Sequence, residues 1–324
     1  MAKILVTGGA GFIGSHLCER LLARGDRVVA YDSLDPFYDP ATKRENLSEA
    51  GRQAGFRFVE GDIRDAAALE RLLAEERPDA VVHLAARAGV RPSIAEPVLY
   101  ADVNLNGTSI LLEVCRRHGM KRFIFGSSSS VYGNANKVPF AEEDPVARPV
   151  SPYAATKAAG ELLCHAYHHV HGFDITCLRF FTVYGPRQRP EMAIYKFARL
   201  ILEGSPVSRF GDGSSERDYT YVDDIIDGVE RALDRMDGYR VYNLGESRRV
   251  SLASLIALLE AEIGAKAAVH EMPDQPGDVR TTWADISRAR ADLGYDPKIG
   301  IEEGIRRFVA WLRPRARRRG RNGG

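Results

Sequence analysis

The stretch Lys3-Ile4-Leu5-Val6-Thr7-Gly8-Gly9-Ala10-Gly11-Phe12-Ile13-Gly14-Ser15 decides the fold. It opens on a short apolar run rich in strand formers. Glycines 8, 11 and 14 follow, and a helical pattern of apolar residues then runs from Ser15 to Ala23. Strand, glycine turn and helix in this order permit a tight turn, close backbone approach to a pyrophosphate, and close packing of helix on strand. The helix N-terminus then faces the phosphates. A glycine triplet alone also suits a plain turn, so its neighbours must carry the reading.

Working outward, Arg27 to Tyr31 reads as a second strand ending at Asp32, 18 residues after Gly14. An acid at this spacing suits the ribose hydroxyls of a dinucleotide and repels a 2′-phosphate. No arginine follows immediately, so NAD is expected rather than NADP. Phe56 to Gly61 is a third strand, and Asp62-Ile63 beyond it can bracket an adenine ring. Ala80 to Leu84 is continuously apolar, as a buried parallel strand is. Ala85-Ala86 then keep the chain small where a cofactor passes. Ile94 to His118 reads as a long helix, interrupted or preceded by Pro97, and Asn104 within it needs partners if buried. Arg122 to Phe125 is a strand that runs into Ser127-Ser128-Ser129-Ser130, and Asp174 to Arg179 is another. Alternating strands and helices of this length predict an α/β fold, a doubly wound parallel Rossmann sheet.

Tyr153 and Lys157 lie one helical turn apart, so both side chains leave one face. Ser151 is a good N-cap and Pro152 suits the first helical position. A nearby ammonium favours the phenolate, which makes the pair a candidate general base near neutral pH. The alternative is an aromatic ring packed under a lysine stem.

After Arg179 the rhythm loosens. Thr182 to Pro190 reads as a loop, Met192 to Glu203 as a helix, Arg217 to Val222 as a strand, and Asp223 as the cap of the next helix. Tyr239 to Gly245 reads as a short strand, with helices at Ser251–Ile263 and Ile301–Leu312. The expected organisation is a cofactor-binding domain over 1–180, to which parts of 215–245 return. A smaller α/β substrate-binding domain is expected over 181–312, and a disordered basic tail over 313–324.

A net charge of +1 over 324 residues gives no argument for nucleic acid or membrane binding. No apolar run reaches membrane-spanning length. Met1 leads almost directly into a strand, leaving no room for a signal peptide. Cys18, Cys115, Cys164 and Cys177 form no C-x-x-C pair and are expected reduced, in a cytoplasmic protein. His165, His168, His169 and His171 lack accompanying acidic or cysteine ligands, and Asp223-Asp224 suits a helix start, so no metal is expected.

Together the glycine turn, Asp32, the serine run and the Tyr153/Lys157 pair resemble the extended short-chain dehydrogenase/reductase family, over nearly the whole chain. Within it the chain is most similar to the UDP-glucuronate 4-epimerases. The similarity lies in Ala85-Ala86-Arg87-Ala88-Gly89-Val90-Arg91-Pro92-Ser93, the serine run, the stretch from Thr182 through Ala193, and Phe210-Gly211-Asp212-Gly213 with Arg217-Asp218-Tyr219. The resemblance implies tightly held NAD, a UDP-sugar substrate and a homodimer formed through the helices of 94–118 and 153–171. It implies catalysis by Tyr153, Lys157 and Ser128. Cofactor contacts are expected at Gly8, Gly11, Phe12, Ile13, Gly14, Asp32, Asp62, Ile63, Leu84, Ala85, Ala86, Asn104, Tyr153 and Lys157. Substrate contacts are expected at Arg87, Ser127, Ser128, Ser129, Thr182, Arg187, Arg189, Arg217 and Arg280. Thr182 stands where many relatives carry asparagine. Dehydratases of the family place Asp-Glu at the Ser129-Ser130 positions, and UDP-glucuronate decarboxylases place Glu at the Ser130 position. A serine is a poor acid or base at neutral pH. The implied reaction is therefore 4-epimerisation of UDP-glucuronate to UDP-galacturonate through a transient 4-keto sugar. The alternatives are a UDP-glucose 4-epimerase, a UDP-glucuronate decarboxylase, or a non-catalytic nucleotide-binding regulator.

Overall fold

A computed structural model describes residues 1–134, 137–273 and 280–321. The first part of the chain alternates strands and helices: β1 (Lys3–Thr7), α1 (Phe12–Ala23), β2 (Arg27–Asp32), α2 (Pro40–Asn46), β3 (Phe56–Glu60), α3 (Ala66–Glu76), β4 (Ala80–His83), α4 (Val90–Ala95), α5 (Pro97–Ala101), α6 (Gly107–Arg117), β5 (Arg122–Ser128), α7 (Pro152–His171) and β6 (Asp174–Phe180). Then follow β7 (Thr182–Tyr184), α8 (Ala193–Leu202), β8 (Val207–Phe210), β9 (Glu216–Arg217), β10 (Tyr219–Tyr221), α9 (Val222–Asp234), β11 (Tyr239–Leu244), β12 (Val250–Ser251), α10 (Leu252–Ile263), β13 (Val269–Met272), α11 (Ser287–Leu293) and α12 (Ile301–Arg321).

Seven strands form one parallel sheet in the order β11-β6-β5-β4-β1-β2-β3. Strand periodicity sends alternate side chains to opposite faces. Ile4 and Val6 of β1 join one core with Leu17, Cys18 and Leu21 of α1, while Leu5 joins the other with Leu69, Leu72 and Leu73 of α3. Helices cover both faces, as the near-continuous apolar strands require. All four cysteines are free and buried.

Several local expectations need correction. The helix expected over 94–118 is interrupted at Pro97 as read, α4 and α5 meeting at Glu96, but it is broken again by a π-helical turn over Asp102–Asn106 before α6. The loop expected from Thr182 begins with a strand, β7, paired with β10. The strand expected over 217–222 is split at Asp218, with β9 pairing instead with β12. The buried Asp218 carboxylate causes the split by drawing in the N–H groups of Glu246, Ser247 and Ala284. Asp223 is not the cap of α9. Tyr221 stands at that position without a side-chain bond, and Asp224 accepts from the N–H groups of Lys298 and Ile299. The tail expected to be disordered from 313 is helical as far as Arg321, α12 running through Pro314. Arginine is a good helix former. Residues 322–324 of that expected tail lie outside the described residues.

Candidate active site

The strands of the sheet run parallel, so the loops after them emerge along one edge. There a cavity of about 390 Å³ opens. The glycine turn forms its floor. Gly8 has φ +71°, and a Cβ on Gly14 would lie 2.2 Å from the Gly8 carbonyl oxygen, so neither position tolerates a side chain. Gly11 caps α1 with no side-chain bond, leaving the first N–H groups of the helix without a capping partner. A glycine cradle under uncapped helical N–H groups fits a diphosphate. Asp32 continues the fit. Its carboxylate accepts from Ala10 N–H at 3.2 Å and Leu34 N–H at 2.8 Å, which fixes it at the cavity wall. The donor set therefore fits an adenine dinucleotide with a free ribose diol. Asp62 and Ile63 also line the cavity. Arg64 grips Asp62 at 2.6 Å and holds its carboxyl below the ordinary range.

Leu84, Ala85 and Ala86 line the cavity as expected, but Asn104 does not. Its amide is consumed within the chain. Oδ1 accepts from Arg87 N–H at 2.7 Å, and Nδ2 donates to the Arg87 carbonyl at 2.9 Å and to Thr156 Oγ1 at 3.1 Å. Within the chain Asn104 is thus a clamp on the loop after β4. Behind that loop His83 is fully buried. Its Nδ1 lies 2.7 Å from Thr7 Oγ1 and its Nε2 lies 2.9 Å from Thr108 Oγ1. The Thr108 hydroxyl donates to the Asn104 carbonyl at 2.5 Å, so His83 Nε2 carries the proton and Nδ1 accepts. Burial holds the imidazole pKa down at about 3.

Helix α7 brings in the reactive pair. Ser151 accepts from Ala154 N–H at 3.1 Å and Pro152 occupies the first turn, so the helix starts just before Tyr153. Tyr153, Lys157 and all four serines line the cavity. Lys157 donates to the Gly126 carbonyl at 2.7 Å, and burial lowers its pKa to about 8. Burial raises the Tyr153 pKa, against a lowering hydrogen bond with Ser128 and the charge of Arg189. The Lys157 ammonium gives one of its three N–H donors to the Gly126 carbonyl and keeps the others.

Ser127 lines the cavity, but its hydroxyl donates to Glu161 Oε1 at 2.5 Å. Glu161 pairs in turn with Arg179, Oε2 to Nη2 at 2.7 Å, with both side chains almost wholly buried. Ser128 and Ser130 hydroxyls lie 3.2 Å apart. Thr182 lines the cavity on β7.

The expected arginines divide. Arg87 and Arg189 line the cavity. Arg187 does not. With φ +64° it turns onto α1, where Glu19 holds it at 2.7 Å and Ser15 at 3.3 Å. Arg217 and Arg280 also lie off this cavity, side by side, with Arg217 Nη1 donating to the Arg280 carbonyl at 3.3 Å. The sequence reading missed Asp35, Phe37, Tyr38 and Lys43, all on the cavity wall. The adjacent aromatic pair Phe37-Tyr38 in a non-periodic stretch was the available signal. Among the described residues no group of His, Cys, Asp and Glu could hold a metal ion.

The chain matches the family described as GDP-mannose 4,6 dehydratase over residues 5–308. It is 44% identical over 312 residues to a UDP-glucuronate 4-epimerase of Thermodesulfobacterium geofontis, covering 96% of each chain. The solved structure of a UDP-glucuronic acid 4-epimerase from Bacillus cereus, in complex with UDP-glucuronic acid and NAD, superposes with a TM-score of 0.91 at 39% identity. That match covers 96% of this chain and 99% of the other. A dTDP-glucose 4,6-dehydratase from Streptomyces venezuelae superposes with a TM-score of 0.91 at 34% identity, covering 96% and 97%. The chain belongs to this family, in the epimerase/dehydratase group of the extended short-chain dehydrogenases/reductases.

Proposed function

We propose that the protein is an NAD-dependent UDP-sugar 4-epimerase whose substrate is UDP-glucuronate and whose product is UDP-galacturonate. One observation carries this choice within the family. Among the described residues the carboxylates lining the cavity are Asp32, Asp35 and Asp62, from the end of β2 and the loops after β2 and β3. Beside Tyr153 the lining carries no carboxylate among the described residues, only the hydroxyls of Ser127 to Ser130 and Thr182 and the cations Lys157 and Arg189. Elimination of water needs an acid and a base there, and oxidation followed by reduction at one carbon does not.

Bound NAD supplies the reversible two-electron acceptor at C4. Tyr153 takes the proton of the C4 hydroxyl and later returns it. Ser128 holds the C4 oxygen. Lys157 stands one turn behind the tyrosine and donates toward the nicotinamide ribose. Thr182, Ser129 and Arg189 hold the C6 carboxylate, which keeps a 4-keto uronate from the alignment in which it would lose CO₂. Ser127 positions the serine loop through Glu161. Arg217 and Arg280 are assigned to the substrate diphosphate. The residues over 1–180, with parts of 215–245, are assigned to the cofactor and the reactive groups, and those over 181–312 mainly to the sugar nucleotide.

A second copy of the chain is the expected partner. Ile94 and Val98 are 53% and 81% exposed on α4 and α5, and Leu162 and Val170 are 70% and 67% exposed on α7. An apolar face of this kind across neighbouring helices suits a symmetric interface. No helix among the described residues is long and apolar enough to cross a membrane. Buried free thiols suit a reducing cytoplasm.

The test is a proton NMR time course with purified protein and UDP-glucuronate, without added NAD. UDP-galacturonate without UDP-xylose is the expected result. UDP-xylose overturns the carboxylate clamp. Conversion of UDP-glucose but not UDP-glucuronate overturns the substrate. Tyr153→Phe should lower turnover by about 100-fold or more.

A further inference from the structure

One wall of the cavity plays no part in that chemistry. The segment leaving β2 contributes Asp35 and Phe37 to the lining, and the loop after β4 contributes Arg87. In the sheet β1 lies between β2 and β4, so these two loops flank the glycine turn. They are joined across it. Arg87 Nη1 donates to Asp35 Oδ1 at 2.7 Å and Nη2 donates to Glu96 Oε2 at 2.9 Å. The Arg87 guanidinium lies 4.9 Å from the centre of the Phe37 ring, and that of Arg189 lies 5.8 Å from the same ring. Phe37 is thus in contact with two cations from two different loops. The Arg87 side chain is 11% exposed, and its buried Nε–H has no partner within the chain. The guanidinium is fixed by carboxylates at both outer nitrogens, and its enclosed inner donor, on a residue of the cavity lining, is the one left unpaired.

We propose that Asp35, Phe37 and Arg87 form a strap across the glycine turn that closes over the dinucleotide diphosphate, Arg87 Nε–H donating to one of its oxygens. This rests on the NAD reading above and moves Arg87 from the sugar to the cofactor. The uncapped N–H groups of α1 hold the diphosphate from the turn, and the strap holds it from above. Release of the dinucleotide requires the Asp35–Arg87 pair to open and Phe37 to leave its two cations. A reaction with no net redox change has no need to exchange its cofactor, and the strap is the device that retains it.

The experiment is exchange of bound NAD against excess fluorescent etheno-NAD, followed on purified holoenzyme with no sugar present. Arg87→Lys keeps the charge but cannot make all three bonds, and Phe37→Ala removes the stacked ring. Each should speed exchange by about tenfold or more, the effect of losing one charge-assisted hydrogen bond or its support. Phe37→Tyr keeps the ring and should restore slow exchange. Asp35→Asn alters one partly exposed carboxylate and carries the test if Phe37→Ala fails to fold. Exchange as slow in these variants as in the parent overturns the strap. A parent that neither holds nor takes up NAD overturns it together with the NAD reading. Fast exchange in the variants, in a protein inert toward UDP-glucuronate, supports the strap while the sugar assignment falls.

Discussion

Two buried polar supports stand behind the cavity, and they are built from opposite materials. Behind the cofactor loops, Thr7, His83, Thr108 and Asn104 form a chain of neutral hydrogen bonds. Behind the serine loop, Ser127 is tied to the Glu161–Arg179 ion pair. Arg179 continues to the Tyr132 hydroxyl at 2.9 Å, and Tyr132 to Asn243 Oδ1 at 2.7 Å. Both supports are buried and both span several elements. A neutral chain that loses one member leaves polar groups unpaired. An ion pair that loses one member leaves a bare charge in the core, which costs more. The serine loop is therefore the more rigidly specified wall, and the one where a single change does most harm.

The largest expected effect tests that ordering. Arg179→Met should destabilise the fold by about 3–5 kcal/mol, since Glu161 is then buried without its cation. Arg179→Met with Glu161→Met should recover much of the loss in the same denaturation assay. An equal cost for the single and double variants would break the contrast.

His83→Leu should cost less, about 1–3 kcal/mol, by leaving the Thr7 hydroxyl proton without its acceptor. It should also change the response to acid. Loss of water around the ring holds the folded pKa values of buried His83 and half-buried His16 near 3 and 4, against about 6.5 when unfolded. Below that value the unfolded chain binds more protons, so stability falls as pH drops from about 6.5 toward 3. The decline should be shallower in His83→Leu. An unchanged slope would mean that the neutral chain does not govern acid stability.

The smallest effect concerns a carboxylate with weaker support, whose Oε1 meets only Arg248 Nε at 4.0 Å among its ion pairs. Glu246 is buried with Oε2 unpartnered, and burial raises its pKa to about 7. Here the folded state holds the extra proton, so its contribution is present below about 4.5 and lost as pH rises through about 7. Glu246→Gln should gain on the order of 1 kcal/mol at pH 8 and nothing at pH 5. A gain independent of pH would assign the effect to packing instead.

What could be read from the sequence was local. The glycine turn, Asp32 and the Tyr153/Lys157 spacing each declare their geometry within one turn or one strand. The remainder depended on residues far apart in the chain. Arg187 and Arg189 are indistinguishable by type, yet a positive φ at Arg187 turns it onto α1 while Arg189 enters the cavity. Ser127 looks like a sugar contact until Glu161, on α7, accepts its hydrogen bond. The two-residue strands β9 and β12 have no periodicity to detect and exist because Asp218 gathers the loops around them. Phe37 gains meaning only once Arg87 arrives from beyond β4.

The sheet is completed late. Its outermost strand, β11, pairs with β6 but follows it in the chain only after β7 to β10 and α9. During synthesis β6 therefore leaves the ribosome with an open edge. That edge persists until the chain between Phe180 and Leu244 has been added, several seconds at about 5–20 residues per second. An unpaired strand edge is a template for aggregation. Nascent chains of this protein should accordingly be most vulnerable, and most in need of a chaperone, while that interval is being translated.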